Sequence, residues 1–321
     1  MSPRPKTLLV VTLAAIASFT AVVPARASAD RIAVIHHDAR RGDRLRTMNP
    51  DGTDLRTIYR VAPYFDQAGN PANGGELLSD PAWSPDRSWI AVTRNRVVHQ
   101  DHPRKVTARI VLVRADGREI VPLMIGVHPT WSPDGSTIAF ARGRRTSQAR
   151  VVLANSDGSN ERVIARFESP VASVRWSPAG GQILVVSGDA VWSMGEDGSE
   201  PHEIVSGATS PSFSPAGTQI YSIGMVTSDG GECGPMATPV LQRSAADGTG
   251  LIILGPVPGA YDGVTQIDVA PDGASLVLMV RRYLGSSSCE DFYGAAMGTV
   301  DTTLVGQFDR LRGGDDPSWS G

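Results

Sequence analysis

Cysteine is nearly missing from this chain: Cys233 and Cys289 are the only two among 321 residues. Lysine is as scarce, at Lys6 and Lys105 alone, so arginine carries almost all the positive charge, a bias we read as genomic base composition. There is no cationic surplus. The formal net charge is −3, and losing the first 29 residues removes Arg4, Lys6 and Arg26 but no acid, which leaves about −6. A mildly acidic chain argues against general affinity for nucleic acid. After Val23 no run is long and apolar enough to cross a membrane. Catalytic signatures are missing too. The chain has no Gly-x-Ser-x-Gly elbow, no His-Glu-x-x-His pair and no phosphate-cradling glycine loop. Its many Asp-Gly pairs lack the closely spaced acids and terminal glutamate of a calcium loop. No cofactor and no metal site are expected.

What is present begins with a targeting signal. Arg4 and Lys6 precede the apolar run Thr7 to Val23, and small residues follow at Ala25, Ala27, Ser28 and Ala29. This predicts a secretory signal peptide over residues 1–29, cleaved after Ala27 or Ala29, and a secreted, periplasmic or cell-envelope location. No cysteine follows the run, which speaks against a lipid anchor. An uncleaved membrane anchor is the competing reading, although the run is short for a span.

The rest of the chain is built on one hairpin. In Pro129 to Arg142 (PTWSPDGSTIAFAR), Pro133 presets the first corner of a turn, Asp134 suits the second, and Gly135 accepts the left-handed conformation that follows. Ile138 and Phe140 then fall on one face of a period-two strand. Copies start at Pro81, Val174, Pro211 and Ile267, and a fragment occupies Asp315 to Gly321. Arg87 stands where a turn glycine is wanted, so that copy is expected to turn differently. A second repeat, strand, Asp-Gly turn, strand, lies between the hairpins around Gly52, Gly117, Gly158, Gly198 and Gly248, and the last copy has lost its Asp-Gly. Each unit therefore holds four strands, A to D from the axis outward. Asp30 to His36 reads as a B strand without its A strand, and Asp316 to Ser320 as an A strand without its B. The two ends complete one another if the array closes into a ring, which removes exposed edges.

The Pro-x-Trp-Ser-Pro-Asp-Gly hairpin followed by an x-Asp-Gly turn resembles the TolB-type, WD40-like (PD40) six-bladed β-propeller over residues 30–321. The resemblance implies an all-β fold of four-stranded antiparallel blades, closed by the C-terminal strand. TolB proper carries an α/β domain before its propeller; here the propeller follows the signal directly, so TolB's own partners do not transfer. Blades of this type also occur in oligopeptidases and lyases.

In such a blade the A–B and C–D turns emerge on one rim, the B–C loops and D–A crossovers on the other. The first rim has short turns. The second is predicted to carry the long segments 61–80, 95–108, 143–149, 225–239, 255–263 and 283–294, and long loops are where function concentrates. Candidate positions on that rim or in the channel mouth are Asp80, His99, His102, His128, Glu168, Asp262, Tyr283 and Asp316. Cys233 and Cys289 fall in the same B–C loop of adjacent units, and in an oxidising compartment they are expected to form a disulfide, with two free thiols the alternative. The expected function is a monomeric, non-enzymatic module that binds a protein or peptide. The alternative is an extracytoplasmic polysaccharide lyase or hydrolase with its site in the channel mouth.

Overall fold

The structure is a computed structural model that describes residues 31–38, 41–63, 75–98, 105–143, 148–228, 236–257, 264–287, 290–301, 309–311 and 316–319. Its turns show why the repeat has the sequence it has. At the Pro129 copy, the Ser132 N–H donates to the Thr137 carbonyl at 2.8 Å and the Gly135 N–H to the Ser132 carbonyl at 2.9 Å. The Asp134 carboxylate accepts from Ser132 Oγ at 2.6 Å and from the Ser136 N–H at 3.0 Å. These bonds, the Ser132 hydroxyl foremost, hold the Asp134 carboxyl down at about 2. The Arg87 copy does not turn differently, contrary to expectation. Its Arg87 N–H donates to the Ser84 carbonyl at 2.9 Å, and Ser84 Oγ donates to Asp86 at 2.6 Å. Arg87 takes φ 61°, and the turn's hydrogen bonds outweigh about 1–2 kcal/mol of left-handed strain.

The first three strands are β1 (Ile32–His36), β2 (Arg44–Met48) and β3 (Arg56–Arg60). Sheets consecutive in the chain follow: β4 (Glu76–Trp83) to β7 (Ile120–Ile125) with β5 (Trp89–Val98) and β6 (Lys105–Arg114); then β8 (Val127–Trp131), β9 (Thr137–Arg142), β10 (Ala149–Asn155) and β11 (Arg162–Phe167). Next come β12 (Val171–Trp176), β13 (Gln182–Ser187), β14 (Ala190–Gly195) and β15 (His202–Ser206), then β16 (Thr209–Phe213), β17 (Gln219–Ser228), β18 (Met236–Ala245) and β19 (Ile252–Pro256). The last consecutive set is β20 (Val264–Val269), β21 (Ser275–Ser287), β22 (Glu290–Asp301) and β23 (Asp309–Leu311). Each set is a four-stranded antiparallel sheet, a propeller blade. Finally β24 (Asp316–Trp319) pairs antiparallel with β1, Ile32 opposite Trp319 and Ile35 opposite Asp316, to give the order β24-β1-β2-β3.

Packing follows the strand period of two. Ala33 and Ile35 of β1 join a core with Leu78, Ile90, Val92 and Val111, while Ile32 and Val34 turn the other way and pack with Met48, Ala270 and Val277. The sheet made from both chain ends therefore sits between β4–β7 on one side and β20–β23 on the other. Asp43, almost wholly buried, ties the first of these contacts by accepting the Leu78 N–H at 2.9 Å.

The C–D turns dock each blade on the one before it. Gly117 meets the Ile58 carbonyl, Gly158 meets Leu123, and Gly198 and Gly248 meet the carbonyls of Ile164 and Ile204. Glycine is required there for its positive φ, and at Gly117, Gly198 and Gly248 also because a Cβ would strike the preceding outer strand. The long rim segments are only partly loops: β5 and β6 extend to Val98 and from Lys105, β17 and β18 to Ser228 and from Met236, and β21 and β22 run through Tyr283 and Gly294. Their β-branched residues, such as Val97, Val98, Val106 and Thr107, keep pairing past the expected end of the blade. Among the described residues no helix is long and apolar enough to cross a membrane.

Gly198→Ala is expected to cost more than about 2 kcal/mol in urea unfolding, since it adds a clash to left-handed strain. Gly181→Ala, with nothing within 4 Å of the new methyl, should cost about 1 kcal/mol, and Arg87→Gly should stabilise by about 1 kcal/mol.

Candidate functional site

The inner strands are irregular at one level. β4, β8 and β16 slip register between Ser79 and Ala82, Val127 and Thr130, and Thr209 and Ser212. The intervening residues are Asp80-Pro81, His128-Pro129 and Ser210-Pro211, and each residue before proline is left-handed, at φ 55°, 54° and 51°. Proline has no N–H for the neighbouring strand, so the ladder skips it and the bulge re-aims the preceding side chain. β12 and β20 slip just before Ser173 and Gln266. Asp80, His128, Ser173, Ser210 and Gln266 thus hold one position, each the third residue before the aromatic site occupied by Trp83, Trp131, Trp176, Phe213 and Val269.

Two of these side chains meet. His128 Nδ1 lies 2.9 Å from Asp80 Oδ1 and donates to that carboxylate across adjacent blades. Ser79 Oγ donates to Asp80 Oδ2 at 2.8 Å, and the His128 N–H donates to Thr93 Oγ1 at 3.1 Å. Burial pushes the Asp80 carboxyl up, but the charge and hydrogen bond of His128, the Ser79 hydroxyl and the charge of Arg175 outweigh it and hold the carboxyl well below the usual carboxylate range. His128 is 5% exposed. Its Nε2 is buried without a hydrogen-bond partner, as is Ser173 Oγ on the next blade.

Toward the short-turn rim the inner strands surround a cavity of about 370 Å³. Its wall combines Trp83, Trp131, Trp176 and Phe213 with the turn prolines, and its polar groups include Thr130, Arg175, Ser212, Gln266 and Asp268. Neighbouring inner strands are stitched together here. Thr130 Oγ1 accepts the Trp176 N–H at 3.2 Å, and Ser212 Oγ donates to Asp268 at 3.0 Å. Trp131 Nε1 donates to the Ala82 carbonyl at 3.1 Å, while Trp83 Nε1 and Trp176 Nε1 are buried without partners. An aromatic concave wall with a few convergent polar groups has the form of a ligand site.

Of the residues singled out in the sequence, Asp80 and His128 come together. Glu168 is exposed at a bend ahead of β12 and takes no part in the pair. Tyr283 and Asp316 are placed by backbone only, opposite Tyr293 and Ile35. His99, His102, Asp262, Cys233 and Cys289 lie outside the described residues. Among the described residues no three His, Cys, Asp or Glu side chains gather as metal ligands. Sequence reasoning missed Arg175, Ser173, Ser210, Gln266, Thr130, Ser212 and Asp268. Counting back one and three residues from each aromatic position finds them all.

No family model matches the sequence, and no curated protein matches it. Solved structures do share the fold. TolB from Acinetobacter baumannii is similar with a TM-score of 0.61 at 15% identity, over 90% of this chain and 66% of that one, so the chain spans slightly less than two thirds of that TolB. A nidogen/laminin complex gives 0.60 at 10% identity, over 88% and 94%. An oligogalacturonate lyase in complex with manganese gives 0.51 at 16% identity, over 77% and 70%. The chain is a β-propeller with TolB-like structural neighbours.

A double-mutant cycle of Asp80→Asn and His128→Gln, followed by urea unfolding, is expected to give a coupling energy of about 1–3 kcal/mol, because either single change leaves a buried polar group unpaired.

Proposed function

We propose that this is an exported, non-enzymatic propeller that binds a protein or peptide segment at its channel mouth. In this reading the sheet β24-β1-β2-β3 is a sixth blade and the ring is closed around the channel. The observation that carries the reading is the cavity of about 370 Å³ among the A–B turns, walled by tryptophans and prolines. Such a surface suits an extended chain: aromatic faces accept its apolar groups and indole N–H groups its carbonyls. A neighbour of the same fold, solved as a nidogen/laminin complex, engages another protein. The tips of the long-loop rim lie outside the described residues, and the mouth proposed here is the opposite one.

A second reading has its own observation. An imidazole fixed at Nδ1 by a carboxylate, with Nε2 free of partners, is equipped for proton transfer, and a lyase is among the structural neighbours. Turnover of an oligosaccharide panel that disappears in a folded His128→Gln variant favours this reading; no turnover counts against it.

The binding reading is tested by selecting decapeptides against the mature protein and mapping them by NMR. The indole N–H signals of Trp83, Trp131 and Trp176 are expected to shift. Selected peptides that bind yet leave all three unmoved contradict the site.

A further inference from the structure

Among the described residues Arg175 is the one cation in the wall of this cavity, and its guanidinium is poorly engaged. Among the described residues its hydrogen bond is to the carbonyl of its own neighbour, Val174, at a long 3.4 Å. A satisfied arginine of the same chain looks different: Arg142 grips Glu161 with two bonds of 2.9 and 2.8 Å. The acid that feels Arg175, Asp80, already accepts from His128 and Ser79. The other charged group in the wall among the described residues, Asp268, stands two blades away on β20 and accepts from Ser212. A half-buried, forked guanidinium in a concave aromatic wall matches a carboxylate in shape and charge.

We propose that Arg175 anchors a carboxylate of the bound segment, so that the propeller selects acidic peptides at this mouth. The inference rests on the peptide-binding reading and adds the charge of the ligand and the residue that reads it. It runs against the simplest expectation from a mildly acidic chain, which is a cationic ligand. Binding joins the guanidinium and the ligand acid in charge-assisted hydrogen bonds, while the surrounding indoles exclude water and strengthen them. Asp268 repels a second acid on its own side and so sets the direction in which the segment lies.

The probes are three fluorescein-labelled decapeptide pools of common aromatic and proline content: one with Asp and Glu at fixed positions, one with Asn and Gln there, and one with Lys and Arg. Anisotropy titrations on the mature protein should show the acidic pool binding about tenfold tighter than the Asn/Gln pool, the effect of one charge-assisted hydrogen bond. Arg175→Gln, shown to be folded by circular dichroism, should bring that ratio to about one. If Arg175→Gln does not fold, Arg175→Lys serves, and the ratio should fall about threefold because the fork is lost. Equal binding of the acidic and Asn/Gln pools, tighter binding of the basic pool, or an acid preference that survives both substitutions overturns the anchor and leaves the peptide site standing. No binding of any pool overturns both.

Discussion

The pairing of β24 with β1 is the contact on which the arrangement depends. β1 is the second strand of its sheet, and without β24 one edge of it is a row of bare N–H and C=O groups. Its side chains are fully enclosed, with Ile32, Ala33, Val34 and Ile35 all at 0% exposure. Burying residues such as Ile32, Val34 and Ile35 stabilises by about 1.5–3 kcal/mol each, and alternate ones pack on opposite neighbours. A strand held from three sides can sit in only one place. The first and last parts of the chain are therefore obliged to meet, and in the proposed ring the inner strands face a common axis.

A common axis makes the inner strands the place where side chains from distant parts of the chain converge. Asp80 and His128 are 48 positions apart and touch because each stands at the same bulge of its own blade. The bulge has a cost, of order 1–3 kcal/mol for a left-handed residue other than glycine. The proline beyond it makes regular pairing impossible, so the strain is built into the sequence. It is concentrated at the level of the channel, where the repeat also departs from its own pattern by using Asp, His, Ser and Gln at equivalent points.

Much of the fold was legible because its determinants are local. Ser-Pro-Asp-Gly closes its turn with its own side chains, and x-Asp-Gly-Ser/Thr does the same through Asp157 to Ser159 and Asp247 to Thr249. Repetition then made the four-stranded blade legible, and the two half-units at the chain ends pointed to their pairing. Local rules failed where neighbours decide. Arg87 was expected to change its turn, yet the Ser84–Asp86–Ser88 bonds hold it. The B–C segments were expected to be loops, yet long strands occupy much of them. The Asp80–His128 contact was half legible, since both were placed near the axis. Arg175 was not, because one arginine in an alternating strand looks like any solvated residue until the cavity beside it is seen.

Closure of the array by its own ends is measured most directly by hydrogen exchange, read by mass spectrometry on the chain with and without residues 316–321. If β24 seals β1, removing it should raise exchange across Ile32–His36 and spread to β4 and β20, while β12 to β15 stay protected. Unchanged protection of β1 in the shortened chain would mean that the first sheet needs no partner from the other end, and the shared axis on which the site is built would be lost.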